Sequence, residues 1–217
     1  LLQFPLCAED GLYLVLSPAD VEAYNDLLTN TQLYLVEPFT IVNEFLVHEK
    51  QGTLSRADFE KVVRELCPVK PLSGKVQEAL TKIFDAFEIN DSNKVDMSSF
   101  LAGFLMLASG SKSDKLLLAF RLFDDDTDGQ LNRRQMWTFL RSYLTILVAV
   151  SSCYDMPRAS LNFLIDSGAI DACASVFSAE REQGGDEDKI SFQEFGAWYN
   201  RGGFERVPWL ELLDFAK

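Results

Sequence analysis

The chain has 217 residues, 47% of them hydrophobic, and a formal net charge of −13. The apolar fraction excludes a chain that is disordered overall, and the acidity argues against a basic, phosphate-binding face, so nucleic acid is not an expected partner. An acidic surface suits a bound cation or a basic target peptide, and it serves plain solubility equally well.

The length allows one large domain or two small lobes, and seventeen Phe point to a phenylalanine-rich helical core. Cys7, Cys67, Cys153 and Cys173 are scattered and form no CxxC pair. Reduced thiols in a cytoplasmic protein are therefore expected rather than a disulfide framework. The chain begins with Leu, which reads as a fragment or a processed form, and its first residues are too few and too acidic for a signal peptide. The longest apolar stretch, 143–150, is too short to span a bilayer, and nothing indicates membrane association.

In chain order, Ser17-Pro18 is a helix start signal and opens a helix through Leu28. Amphipathic stripes follow, with i, i+3, i+4 spacing, at Ile41, Val42, Phe45 and Leu46; at Leu80, Ile83, Phe84 and Phe87; and at Leu116, Leu117, Phe120 and Phe123. The stretch 100–107 is apolar nearly all round and should be deeply buried. A long helix is expected from Arg133 to about Val150, then a connector with Pro157, then a helix over 159–177 broken near Gly168. Pro208 opens a short apolar segment carrying Trp209, Leu210, Leu212, Leu213 and Phe215.

Four places carry a β-branched or leucine anchor followed five residues later by an apolar residue: Leu54 with Phe59, Val95 with Phe100, Leu131 with Met136, and Ile190 with Phe195. This is the internal repeat of an EF-hand, with the anchor at loop position 8. The third loop carries the chemistry. Asp124, Asp126 and Asp128 alternate at positions 1, 3 and 5, Gly129 supplies the turn at position 6, and Leu131 is the anchor. A hard divalent cation wants six to eight oxygens, and alternate residues of a tight loop can point theirs inward. Gln130 would add its backbone carbonyl, Asn132 position 9, and Gln135 one amide oxygen at position 12, where Glu would give two. Weak Ca2+ binding is expected here, with Mg2+ as the other ion to consider.

The other loops are degenerate. The first, 47–58, keeps Gly52 but has no acid at position 1 and has Lys50 near its centre, so an ion-free structural loop is expected. His48, the one histidine, reads as an exposed loop residue. The second, 88–99, has Asn93 for the turn glycine and Ser99 at position 12, which gives weak binding or none. The fourth has Glu194 at position 12. Its entering helix is expected to end at Phe177, which makes 178–189 an expanded loop where Asp186 and Asp188 could join Glu194 around an ion; a mobile acidic loop is an equal reading.

The run Lys115-Leu-Leu-Leu-Ala-Phe-Arg-Leu-Phe-Asp124 and the segment 100–110 before it resemble the calcineurin B, calcineurin B-like and neuronal calcium sensor group, a resemblance that covers roughly residues 40 to 200; the tail Val207-Pro208-Trp209-Leu210-Glu211-Leu212-Leu213 is similar to that of calcineurin B-like proteins and to the EF-hand segment of some ubiquitin-specific proteases. The resemblance implies an all-α EF-hand fold: four helix–loop–helix units in two lobes with extra N- and C-terminal helices. The boundaries are 1–38 for an N-terminal helical extension, 39–112 for the first lobe, 113–203 for the second and 204–217 for the tail. It also implies a hydrophobic groove for an amphipathic helix of a target protein. Phe104, Leu107, Phe139, Leu140, Tyr143, Leu147 and Trp209 are groove or core residues on this reading, with the tail folding back onto the second lobe or into the groove. The function implied is a noncatalytic calcium-binding adaptor; no phosphate loop, GxSxG or HExxH is present. The alternative is the regulatory region of a larger enzyme, such as a ubiquitin-specific protease, docked in cis on its catalytic domain.

Overall fold

The computed structural model describes residues 1–7, 10–67, 71–88, 90, 92–182 and 188–214. It opens on an element absent from the sequence reading, an antiparallel hairpin of β1 (Leu2–Cys7) and β2 (Leu12–Leu16). Leu6 and Leu14 point from it into the core. Only then comes the expected helix, α1 (Pro18–Thr31), started by Ser17, whose side chain accepts from the Asp20 N–H while Asp20 accepts from the Ser17 N–H.

The first pair of hands runs α2 (Pro38–Leu46), β3 (Thr53–Ser55), α3 (Arg56–Leu66), α4 (Gly74–Phe87), β4 (Lys94–Asp96) and α5 (Met97–Phe104). β3 and β4 form a short antiparallel ribbon in which the anchors Leu54 and Val95 face each other. The second pair runs α6 (Lys112–Arg121), β5 (Gln130–Asn132), α7 (Arg133–Ala149), α8 (Arg158–Glu182), β6 (Lys189–Ser191) and α9 (Phe192–Trp198). Here Leu131 faces Ile190, and Asn132 faces Lys189. The ribbon hydrogen bonds satisfy backbone groups that a buried loop would otherwise leave unpaired.

Phenylalanine fills both halves. Phe45, Phe59, Phe84, Phe87, Phe100 and Phe104 interlock in the first pair, mostly edge to face, and Phe139 meets Phe120, Phe123, Tyr143 and Phe195 in the second. The halves share one continuous core across α5 and α7. Gly103 makes that approach close: a Cβ there would lie 2.7 Å from Ile146 Cγ1 and from the Ser142 carbonyl oxygen.

Two expectations need correction in α8. The helix does not break at Gly168; the absent side chain there admits Leu144, which a Cβ would meet at 2.9 Å, and Leu6 of the hairpin. Nor does it end at Phe177. It continues to Glu182, eight residues before Ile190, as Leu46 stands before Leu54 and Phe87 before Val95. The fourth loop is thus of ordinary length.

The tail forms a 3-10 helix, Pro208–Asp214. Trp209, Leu210, Leu212 and Leu213 are all buried, against α6, the turn 105–107 and β1. Phe215 lies outside the described residues.

Candidate metal centre

The third loop draws three carboxylates together. One oxygen each from Asp124, Asp126 and Asp128 lie within 4.8 Å of one another, the one such acidic group among the described residues. The local sequence imposes this. Gly129 takes φ +81°, which closes the turn without a Cβ clash, and the N–H groups of Gly129 and Gln130 are held by Asp124 Oδ2 at 3.0 Å and Asp128 Oδ1 at 2.9 Å. Asp124 Oδ1 is buried and has no hydrogen-bond partner. An unsatisfied buried carboxylate oxygen is costly, and a cation removes that cost. The donor set, hard oxygens at alternate positions, fits Ca2+ or Mg2+.

A cation is already present in another form. Lys189, from β6 of the facing loop, places Nζ 2.9 Å from Asp126 Oδ2 and also binds Asp128 Oδ2. The hydrogen bonds to Asp128 and Asp126 raise the Lys189 pKa, and the hydrogen bond from Lys189 lowers that of Asp126. Sequence reasoning missed this residue. The available signal was register: in the antiparallel ribbon, position 7 of loop four stands opposite position 9 of loop three.

Position 12 is spent on helix capping. Gln135 Oε1 accepts from the Asn132 N–H at 2.9 Å, Asn132 Oδ1 accepts from the Gln135 N–H at 3.0 Å, and Gln135 Nε2 donates to the Phe123 carbonyl at 2.7 Å. The expected amide ligand must therefore rotate out of this box to reach an ion. Gln130 lies in β5, with its carbonyl at position 7 as the loop frame requires.

In loop four the cluster expected from Asp186, Asp188 and Glu194 falls partly outside the described residues. Glu194 accepts from the Ser191 N–H and hydroxyl, both at 2.7 Å. Counted back from Ile190 in a loop of ordinary length, Asp186 and Asp188 fall at positions 4 and 6, outside the ligand series 1, 3, 5, and Gln183 and Gly185 fall at 1 and 3. Asp186 lies outside the described residues; Asp188 is exposed.

The first pair carries its own tethered cations. Arg56, at position 10 of loop one, reaches across to Glu88 Oε2 at 3.1 Å, to Asp85, and to Asn93 Oδ1 at 3.2 Å. Asn93 takes φ +54°, so it supplies the positive-φ turn that the missing glycine would have made. Asp58, at position 12 of loop one, has Lys50 Nζ and His48 Nδ1 each 3.5 Å away, and His48 is half-buried rather than exposed.

The groove residues resolve to core in this conformation: Phe104, Leu107, Phe139, Leu140, Tyr143, Leu147 and Trp209 are all buried. A hollow of about 360 Å³ opens between α3 and α4, its lining mixed between apolar residues such as Phe59, Val63 and Leu80 and polar ones such as Glu60, Arg64 and Gln77. All four cysteines are free, and among the described residues no helix is long and apolar enough to cross a membrane.

No protein-family model matches the chain. Similarity to individual proteins is clear. S-modulin of Aquarana catesbeiana is 24% identical over 128 residues, 59% of this chain and 61% of that protein. The guanylyl cyclase inhibitory protein of Lithobates pipiens is 34% identical over 54% of this chain and 55% of that protein. Calcineurin B of Yarrowia lipolytica is 26% identical over 54% of this chain and 58% of that protein. The homologues are EF-hand calcium sensors. These three are of the neuronal calcium sensor and calcineurin B type, and the mostly helical architecture is that of EF-hand proteins; a calcium and calcium/calmodulin-dependent serine/threonine-protein kinase of Oryza sativa subsp. japonica is also similar, 26% identical over 70% of this chain and 25% of that protein. The matched regions span between about half and three-fifths of the three sensors' lengths.

Proposed function

We propose that this chain is a noncatalytic, cytoplasmic calcium-binding adaptor whose ion site is hand three and whose partner is an amphipathic helix of a target protein. The observation that carries the reading is the convergence of Asp124, Asp126 and Asp128 around an unsatisfied buried oxygen of Asp124. With Gln135 in place of a bidentate Glu, both the charge and the number of ligating oxygens are low, and affinity falls toward the weak end of the sensor range. Hands one and two act as ion-free scaffolds, held by Arg56 and Lys50 in place of a metal.

The tail couples the site to a partner. It rests on α6, the helix that enters loop three: Lys112 donates its N–H to Asp214 Oδ1 at 3.0 Å and pairs with Glu211 at 2.6 Å. Trp209, Leu210, Leu212 and Leu213 are buried against α6 and 105–107, and on this reading a target helix competes with the tail for that surface or completes its site. The alternative is a regulatory segment docked on an enzyme in cis, as a match to a minor part of a kinase would allow; it is less favoured because the sensors are matched over more than half of their own length.

Calorimetric titration of metal-free protein with Ca2+ and with Mg2+ tests the ion assignment. One weak Ca2+ site, lost in Asp124→Ala, is expected. An Asp124→Ala isotherm identical to that of the parent overturns it.

A further inference from the structure

We propose that Lys189 is a tethered competitor of the divalent ion: it closes the third loop when no ion is bound, must leave when one binds, and so lets hand four set the affinity of hand three. This rests on the reading of hand three as the ion site.

The geometry is specific. Lys189 lies opposite Asn132 in the ribbon, and from there its ammonium bonds Asp126 at 2.9 Å and Asp128, two of the three side chains offered to the ion. A divalent ion coordinated at roughly 2.3–2.6 Å needs those same oxygens, and an ammonium sharing them would stand next to a double positive charge. The two cations therefore exclude each other. The exit is open, because the Lys189 side chain is 32% exposed and the strand that carries it needs no rearrangement for the side chain to swing into water. Asp124 stands apart from the clamp: its Oδ2 holds Gly129, and its buried Oδ1 is the oxygen that Lys189 leaves unsatisfied. The single charge thus relieves the repulsion between Asp126 and Asp128 without completing the site.

The first pair shows the same device in a permanent form. Arg56 crosses its ribbon to Glu88 and Asn93 and stacks over the Phe84 ring at 4.5 Å. The guanidinium is half-buried in an aromatic setting and serves a loop with too few ligands to replace it. Lys189 is a flexible point charge over a loop that has the ligands. One tether is structural and the other is displaceable.

The test is Ca2+ calorimetry on Lys189→Met, Lys189→Arg and Asp124→Ala, with thermal unfolding of each in the metal-free and Ca2+-saturated states. Lys189→Met keeps the apolar stem and removes the charge. Its Ca2+ affinity should rise roughly three- to fivefold, the scale of one exposed ion pair, and its metal-free melting temperature should fall while the Ca2+-saturated one stays at the parent value. Lys189→Arg should bind Ca2+ no more tightly than the parent. Should Lys189→Met fold poorly, the Lys189 side-chain methylene NMR signals of the parent protein give the answer directly, since they should move on Ca2+ addition. Unchanged or weaker Ca2+ affinity in Lys189→Met, or Lys189 signals indifferent to Ca2+, overturns the tether while Asp124→Ala still loses the site. If Asp124→Ala binds like the parent, the ion assignment and the tether fall together.

Discussion

The ammonium of Lys115, 1% exposed, donates to the carbonyl oxygen of Leu213 at 2.9 Å. This contact joins the first turns of α6 to the end of the tail, and with the Lys112 contacts it fixes the tail's register. Lys115→Ala leaves the Leu213 carbonyl short of a donor and opens a void under the tail. It should cost about 1–3 kcal/mol. In a Trp137→Phe, Trp198→Phe background, Trp209 emission should be blue-shifted in the parent and shift to the red with Lys115→Ala. Removing 207–217 should raise binding of a hydrophobic dye. Solvent-like Trp209 emission in the parent would contradict the buried tail.

Position 12 of the third loop offers a direct handle on affinity. Gln135→Glu retains an oxygen that can accept from the Asn132 N–H in the metal-free state and, once turned to the ion, offers two ligating oxygens and a negative charge. Ca2+ affinity should rise about tenfold or more, as ligand charge tunes these loops, and calorimetry reads it. Affinity equal to the parent's would mean that residue 135 never leaves its cap.

Most of this architecture was legible in the sequence. The helices around loop three follow from apolar residues at helical spacing, and the anchors Leu54, Val95, Leu131 and Ile190 follow from local loop chemistry. The misses have identifiable causes. The hairpin escaped because Pro5 and the turn at Gly11 obscure the alternation in 2–16, and only the burial of Leu6 against α8 at Gly168 and of Leu14 in the core gives it a reason. The end of α8 escaped because 178–182 is mostly polar and carries no stripe, so an ordinary loop read as an expanded one. Lys189 and Arg56 escaped because their partners are set by ribbon register, which no single loop encodes. For the groove residues the sequence left core and groove open, and packing placed them inside.

The ion-free role of the first pair has its own test. Val95 is 2% exposed and faces Leu54 across the ribbon. Val95→Asp buries a carboxylate without a partner and should destabilise the chain by about 2–5 kcal/mol, measured as a lower urea midpoint. Asp96→Ala, at an exposed cap that holds the Ser99 N–H, should leave the Ca2+ isotherm unchanged. A lost or weakened site in Asp96→Ala would place an ion in loop two.

Acid sensitivity should have a contribution from Asp20. Burial opposes its ionisation, but hydrogen bonds from Ser17 and Ser152 outweigh that and hold its pKa below the ordinary carboxylate value. The unfolded chain therefore binds this proton first as pH falls. The stabilisation is complete above about pH 4 and is lost as pH drops through the lower folded value. The gap in urea midpoint between the parent and Asp20→Asn should be wide at neutral pH and shrink below that point. A gap independent of pH would assign the effect to hydrogen-bond geometry alone.

The backbone contact at Gly103 has a consequence for how the molecule melts. On the proposed reading α5 belongs to the hands that hold no ion and α7 to the hand that binds one, yet the two helices touch closely enough that a methyl group does not fit between them. A dumbbell with a flexible waist could lose one end and keep the other. This chain has no waist. An ion bound in loop three would therefore add by mass action to the stability of the whole, and the first half would share in the protection.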